Sequence, residues 1–465
     1  MPVNSNVTTP NYQTLEYQKF VQIYNDTRFP PITTIRSDYY SGTQVEIYDK
    51  YAVLTFDIGQ NAALGPANTL PFGDNAAIDA FGRLRVSLPS TLFNSKQNND
   101  SNSLLYSTAT VGTGSWYFDN NNACTVLSVS ASGDVAIKQS KKYMNYQPGK
   151  SQLIFATFVM PNTAGIVNRV GLFDSTTTTP FSASIEGYYF QCESGVNSFH
   201  IANVGDEPSQ SALQSEWNID KFDGTGLSGI TLDVTKTQIL VIDYEWLGVG
   251  RVRMGFCING IVFYCHQFLH ANTVSLPYLQ DPNKPIRYEI RSTGGIGSLK
   301  QICASVMSEG GSVDNAIPLS IDTGFDSIGN ITSNTLWPAI TVRLKESYKS
   351  VDIQLKDFAA MAFSTTNTLV RVVSNGIISN SASFVDMGSG ALEYSIGTAS
   401  TTITGGVVLF SSFFNKSSNT VSQLGESLYS LGSNINGTKD TLSLVLVPCG
   451  GNEKYFAAMN FKQYL

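Results

Sequence analysis

Between Lys236 and Phe268 the chain reads KTQILVIDYEWLGVGRVRMGFCINGIVFYCHQF. Leu240, Ile242, Tyr244 and Trp246 alternate with Val241, Asp243, Glu245 and Leu247, giving one wholly apolar face and one mixed face. Successive strand side chains point to opposite sides, so this is the pattern of a strand lying on a core. Val252, Met254, Phe256 and Ile258 share a second apolar face, and Asn259-Gly260 follows. That dipeptide suits a type I′ hairpin turn, whose two central residues both need φ > 0. The return strand runs from Ile261 to Phe268. Three such runs in succession predict the centre of an antiparallel β-sandwich.

The same signals recur along the chain. Short alternating runs at Thr125–Val129, Asp134–Lys138, Leu153–Met160, Val167–Phe173, Gly187–Cys192, Asn197–Ile201, Ile286–Ile290 and Leu299–Met307 place this sandwich over residues 104–310. Gly310-Gly311 reads as a linker. A second β domain, 311–465, is carried by Ile340–Leu344, Ser350–Leu355, Leu369–Val373, Val407–Phe410 and Leu442–Val447, with Asn375-Gly376 as a second hairpin turn. Helical stripes are scarce, so the fold class is mostly β. Residues 1–103 read as an extended N-terminal arm with linking strands. Tyr12, Leu15, Tyr17, Phe20, Val21, Ile23, Tyr24 and Phe29 follow neither period, which suits plugging pockets on adjacent subunits better than forming a core. Within Asp79–Phe93, Leu84, Val86 and Leu88 alternate with Arg83, Arg85 and Ser87. The two arginines suit a phosphate, a partner carboxylate or a solvated face with a surface ion pair.

Composition narrows the picture. Charged residues make up 14% of 465 residues, and Ser, Thr, Asn, Gln and 39 Gly fill their place. Typical soluble chains carry roughly 25% charge. A polar, uncharged surface fits an extracellular, carbohydrate-facing or particle-bound protein, or a subunit covered by neighbours. The formal net charge is −7 without a basic stripe, which argues against direct nucleic-acid binding. No apolar run reaches membrane-spanning length, so no membrane insertion is expected, and Met1–Pro10 lacks an apolar signal-peptide core. The Asn259-Gly260 register pairs Cys257 with Val262 and Met254 with Cys265. The two cysteines then face opposite ways, and free thiols are expected throughout.

Two blocks carry a resemblance: Asp79-Ala-Phe-Gly-Arg-Leu-Arg-Val-Ser87 and Phe222-Asp-Gly-Thr-Gly-Leu-Ser-Gly-Ile-Thr-Leu-Asp233. It continues through Thr237–Arg253 and Tyr264-Cys-His-Gln-Phe-Leu-His-Ala271. These resemble structural proteins of tailed bacteriophages and some large marine viruses. The resemblance implies a concanavalin- or lectin-like jelly roll. It also implies a non-enzymatic virion component of capsid, tail or fibre, present in multiple copies and assembled in the host cytoplasm with copies of itself and other virion proteins. It brings no catalytic residues with it.

The candidate chemistry is sparse. Asp243 and Glu245 lie two apart on a strand, about 6.6 Å, near the spacing of a glycosidase pair, but Val241 and Leu247 flank them where a third acid would sit. A solvated or interface-facing pair is the expectation, and the chain is not expected to be an enzyme. Cys257, Cys265, His266 and His270 suggest zinc, yet strand geometry spreads them too widely for one ion. Gly224-Thr-Gly226, Gly248-Val-Gly250 and Gly294-Gly-Ile-Gly297 lack the phosphate-loop form and suit tight turns. Asp220, Asp223 and Asp233 leave calcium open as an alternative to plain turn capping. Catalytic, cofactor and metal sites are therefore all expected to be absent. As the alternative function, recognition of host-surface glycans would rest on Tyr188, Tyr189, Trp217 and Phe222 beside Asn218, Asp220 and Asp223. The competing role for these aromatics is to fill the core.

Overall fold

The computed structural model of the chain describes residues 35–36, 46–47, 78–175, 184–311, 315–364, 366–380, 383–388, 390–415, 420–423 and 430–464. Of the expected N-terminal arm and linking strands, residues 1–34, 37–45 and 48–77 lie outside the described residues; before residue 78 the structure gives an antiparallel ladder between Ile35–Arg36 and Glu46–Ile47. Elsewhere the described residues are strands and loops, with two single 3-10 turns, Gln214–Glu216 and Glu346–Tyr348, as the helical pieces among them.

Two antiparallel sheets form the sandwich. One has seven strands in the order Gln210–Leu213, Val196–Ala202, Ile185–Glu193, Ile166–Ser175, Ile286–Ser292, Val135–Ser140 and Tyr106–Val111. The other runs Ile261–Phe268, Val252–Ile258, Gln238–Tyr244, Gln152–Val159, Gly297–Ser308, Cys124–Val129 and Ser115–Asp119. Its eighth strand, Ser90–Lys96, also pairs with Gly297–Ser308. The expected start of the sandwich at residue 104 is thus too late. Ser90–Lys96 carries Phe93 into the core, but apart from Leu92 the rest of the strand is polar, so period-two reading passes over it.

The interior is built as the alternation dictates. Leu240, Ile242 and Tyr244 point inward to Val252, Met254, Phe256, Tyr188 and Phe190. Stacked and angled ring pairs mix: Phe199 stacks on Trp217 at 4.4 Å, Phe190 stands edge-on to Phe256, with centroids 5.3 Å apart, and Tyr188 lies 4.5 Å from Tyr244. Offset and edge-on aromatic pairs each add about 0.5–1.5 kcal/mol beyond their buried area. The Asn259-Gly260 turn has φ of 53° and 82°, as a type I′ turn requires.

The hairpin register differs from expectation in one place. Cys257 faces Val262, but Met254 pairs with His266 and Gly255 with Tyr264, leaving Cys265 as a bulge residue. A Cβ on Gly255 would sit 2.0 Å from the Phe263 carbonyl oxygen, so glycine is what lets the bulged strand approach. Cys265 still turns into the core while Cys257 packs outside it. All six cysteines are free.

The C-terminal region forms a second sandwich. A five-stranded sheet centres on Glu453–Tyr464, flanked by Asp352–Ala362 and Ile317–Asp322. A six-stranded sheet runs Val385–Asp386, Leu392–Ile396, Trp337–Leu344, Leu442–Cys449, Asn367–Ser374 and Val407–Phe414. Trp337, Val342, Phe358, Leu444 and Tyr455 lie fully buried between them. Asn375-Gly376 is not a hairpin turn. Ile377–Ser379 pairs with Thr402–Thr404 instead, because Asn375 is tied to the 440–441 segment. Its N–H donates to the Thr441 carbonyl at 2.9 Å and its amide to Asp440 at 2.8 Å.

One buried charge stands inside the first sandwich. Lys138 is wholly enclosed, its ammonium 2.6 Å from Thr125 Oγ1, 3.1 Å from Gln97 Oε1 and 4.9 Å from the centroid of the Tyr106 ring. Burial drives its pKa down to about 7, against a weaker upward pull from Asp100. The unfolded chain therefore binds this proton more tightly than the folded one, and stability rises with pH above about 7. One such proton gives up to about 1.4 kcal/mol per pH unit. Urea unfolding at pH 7 and pH 8.5 should show a gain of about 2 kcal/mol, and Lys138→Met should flatten it. An equal gain in the variant would place the titration elsewhere.

Candidate functional site

The outer face of the seven-stranded sheet is polar where its inner face is apolar. Arg169 donates to Gln191 Oε1 at 2.8 Å and Glu289 Oε1 at 2.9 Å, and Arg287 Nε to Glu289 Oε2 at 3.0 Å. Tyr189 stacks on His200 at 4.9 Å and 8°. The His200 Nε2 lies 2.8 Å from Ser198 Oγ. Burial and the nearby Arg169 charge pull the His200 pKa down to about 4, so its ring is neutral at physiological pH.

The second sandwich docks onto one end of this face. The segment Asn434-Ile-Asn-Gly-Thr-Lys-Asp440 is a tight loop: Asn434 N–H donates to Thr438 O at 2.8 Å, Gly437 N–H to Asn434 O at 2.9 Å, and Gly437 has φ of 82°. The loop pushes Ile435 onto Val135 and Ile137. Its N–H reaches Ser107 Oγ at 3.2 Å. Ion pairs surround this wedge: Lys141 with Asp440 at 3.2 Å, Lys142 with Asp352 at 3.0 Å and Lys349 with Asp174 at 2.6 Å. Asp174 also accepts from Tyr143 at 3.0 Å and faces Lys284 at 3.2 Å. Burial alone would raise its carboxyl, but Lys284 and Lys349 outweigh that and hold it below the ordinary aspartate value.

Between the sheet and this docked domain lies a cleft of about 200 Å³. Gln139, Tyr143 and Arg287 form its floor, and Lys345, Glu346, Lys349, Asn434 and Lys439 its far wall. Lys345 pairs with Asp386 at 2.5 Å, while Lys439 stands 3.5 Å from both Glu346 and Glu393. The cleft offers ammonium donors, amides and hydroxyls in one concave place. Sequence reading missed it because its walls come from five distant segments. One local signal was present, the Asn436-Gly437 turn dipeptide.

The sequence-singled residues lie elsewhere. Asp243 is fully buried on the outer side of the eight-stranded sheet. Its Oδ2 accepts from Arg85 at 2.7 Å, from Tyr264 at 3.0 Å and from Arg253; its Oδ1 accepts from Ser151 at 2.6 Å. Arg85 also pairs with Glu309. Neither an exposed pair nor a catalytic one fits this carboxylate, whose oxygens are committed within the protein. Glu245 is separate: it takes the Arg251 N–H at 3.1 Å, and burial raises its pKa. Arg85 thus holds intrachain carboxylates, while Arg83 makes the more exposed pair with Asp79 at 2.7 Å. Val86 and Leu88, which alternate with the two arginines, are each 85% exposed.

Tyr188, Trp217 and Phe222 are core residues, and Tyr189 is covered by its neighbours, so these aromatics present no stacking surface. Asp220 caps its own loop, accepting from Phe222 and Ser228 N–H groups at 3.0 and 2.7 Å. Asp223 and Asp233 do the same for Thr225 and Thr235, each at 2.9 Å. Asn218 bridges to Gln267. His266 accepts from the Asn218 N–H at 3.3 Å, whereas His270 bonds the Gly250 carbonyl at 2.6 Å and stacks on Tyr278. Among the described residues no group of three His, Cys, Asp or Glu side chains has metal-holding geometry, and no helix is long and apolar enough to cross a membrane.

No family model matches the chain, and no curated protein does. Among solved structures, a Bacillus licheniformis beta-glucanase is similar over 47% of this chain and 97% of its own, at 10% identity and TM-score 0.31. A carbohydrate esterase from the Shiga toxin-encoding bacteriophage phi24B covers 48% and 100%, at 10% and 0.31. A legume lectin-like domain from Entamoeba histolytica covers 46% and 96%, at 11% and 0.29. Likenesses of this size assign no activity.

The Asp243 network has a measurable weight. Removing one member of a buried ion cluster leaves the others unpaired, which costs about 3–5 kcal/mol. Asp243→Asn should lower unfolding stability by that amount in urea titration, whereas Glu245→Gln should cost less than about 1 kcal/mol because it keeps the acceptor that Arg251 uses. Equal losses would mean that the two carboxylates act as one unit after all.

Proposed function

We propose that the protein is a non-enzymatic saccharide-binding module that holds one sugar unit in the cleft between its two β domains. The observation that carries this is the cleft itself, a concave site of about 200 Å³ with donors and acceptors converging from both domains. Pockets at domain boundaries are common ligand sites when polar groups fix orientation. A sugar ring presents several hydroxyls and needs such mixed partners. The flanking ion pairs of Lys141, Lys142 and Lys349 hold the two walls in register. Hydrolysis by the common route needs two carboxyl groups across the scissile bond, and Glu346 is the one acidic residue among the described lining groups.

A single sugar of about twelve to twenty heavy atoms should bind with a Kd between about 0.04 and 2 mM, at roughly 0.3 kcal/mol per atom. A glycan array followed by titration calorimetry checks this. Asn434→Trp, which fills the cleft, should abolish binding with the melting transition unchanged. Folded protein that ignores every sugar on the array would exclude the reading.

A second reading, a virion structural protein of capsid, tail or fibre, is favoured by a different feature. Val407–Phe414 lies at the end of the six-stranded sheet and pairs on one side with Asn367–Ser374. It reads VVLFSSFF, without charge or proline, and Phe413 is 70% exposed. Edge strands usually carry charges or proline against unwanted pairing; this one suits a subunit repeated in an assembly, built in the host cytoplasm beside other virion proteins. Light scattering should show multimers at about 10 μM that Val408→Lys with Phe413→Lys reduces to monomers, since a charged edge resists strand pairing. A wild-type chain that is monomeric there speaks against assembly through this edge.

A further inference from the structure

We propose that the cleft selects a sugar carrying a carboxylate, such as a uronic or sialic acid unit, with Lys439 as its anchor. This rests on the saccharide reading above. Four cations line the cleft, Arg287, Lys345, Lys349 and Lys439, against one lining carboxylate, Glu346. Most are committed behind the wall. Arg287 donates to Glu289 at 3.0 Å and to Gln139 at 3.2 Å. Lys349 donates to Asp174 at 2.6 Å and to the Ser175 carbonyl at 3.0 Å, and Lys345 pairs with Asp386 at 2.5 Å.

Lys439 differs. Both of its carboxylates, Glu346 and Glu393, stand at 3.5 Å, beyond the roughly 2.7–2.9 Å of a charge-assisted hydrogen bond. Its side chain is 14% exposed, so it is partly desolvated, while Glu346 is 75% exposed and free to remain in water. Glu393 is already engaged by Arg343 Nε at 2.7 Å. A half-buried ammonium with three donors and loosely spaced partners gains most from an incoming carboxylate. A bare anion would leave much of the cleft empty. Asn434, Ser433 and Gln139 supply the amide and hydroxyl partners that the remaining sugar hydroxyls require.

The test uses the full chain in titration calorimetry with galacturonic acid and N-acetylneuraminic acid, each beside its neutral methyl ester. The acids should bind at least tenfold more tightly than the esters, and less tightly as salt is raised. Lys439→Ala should cost the acids about tenfold and leave the esters unchanged. Asn434→Asp, which adds a negative charge in the cleft without removing volume, should weaken the acids at least tenfold more than the esters even if Lys439→Ala folds poorly. Acids and esters binding alike, or acids indifferent to both substitutions, would overturn the carboxylate preference and leave saccharide binding standing. No binding by any of the four would remove both. Inorganic phosphate binding in a Lys439-dependent way, with the sugars silent, would also overturn the proposal.

Discussion

Asp174 governs how the two sandwiches meet. A carboxylate withdrawn from water is costly unless opposite charges replace the lost solvent. Here Lys284 comes from the first sandwich and Lys349 from the second, with the Tyr143 hydroxyl completing the set. The first domain therefore exposes an unfinished charge site that the second domain completes. That requirement fixes the orientation of the Glu346–Tyr348 turn and, with the Ile435 wedge, opens the cleft rather than a flush contact. The geometry of the candidate site is a by-product of neutralising one buried aspartate.

Much of the architecture was legible because strands bury alternate residues. Leu240, Ile242 and Tyr244 could only be an inward face, and Asn259-Gly260 could hardly be anything but a turn. The alternation does not say what covers the other face. The sequence around Asp243 does not show its counter-charges: Arg253 lies on the next strand and Arg85 lies 158 residues away along the chain. For the same reason the alternation of Leu84, Val86 and Leu88 with Arg83, Arg85 and Ser87 separates two faces without saying which is covered. Apolar residues usually go inward, but two guanidinium partners for a buried carboxylate outweigh the transfer of a few exposed methyl groups. At Asn375-Gly376 a good local turn signal lost to tertiary bonds from the 440–441 segment.

The cleft was less legible still. No two of its walls are close in sequence, and none of its residues forms a recognisable motif. The Tyr188, Trp217 and Phe222 rings drew attention because sugar sites use aromatics, yet large rings are also what a broad sandwich uses to fill its interior. The polar groups that do converge, Gln139, Asn434 and Lys439, are ordinary surface types when read singly. Their meaning comes from docking, which is a property of the pair of domains.

The clasp at Arg85 bears on how the chain is made. Arg85 bonds to Asp243, 158 residues later, and to Glu309, 224 residues later, and Ser90–Lys96 takes its place beside Gly297–Ser308. Contacts so remote in sequence close late, after shorter loops have formed. On the ribosome, the strand that enters the sandwich first must wait for the strand that enters it last. Until Glu309 emerges, Arg85 lacks one of its two carboxylates and the eight-stranded sheet is only just gaining its last strand. Synthesis order and folding order thus run in opposite senses in the first domain, which makes the growing chain most dependent on protection from aggregation just before residue 309 is added.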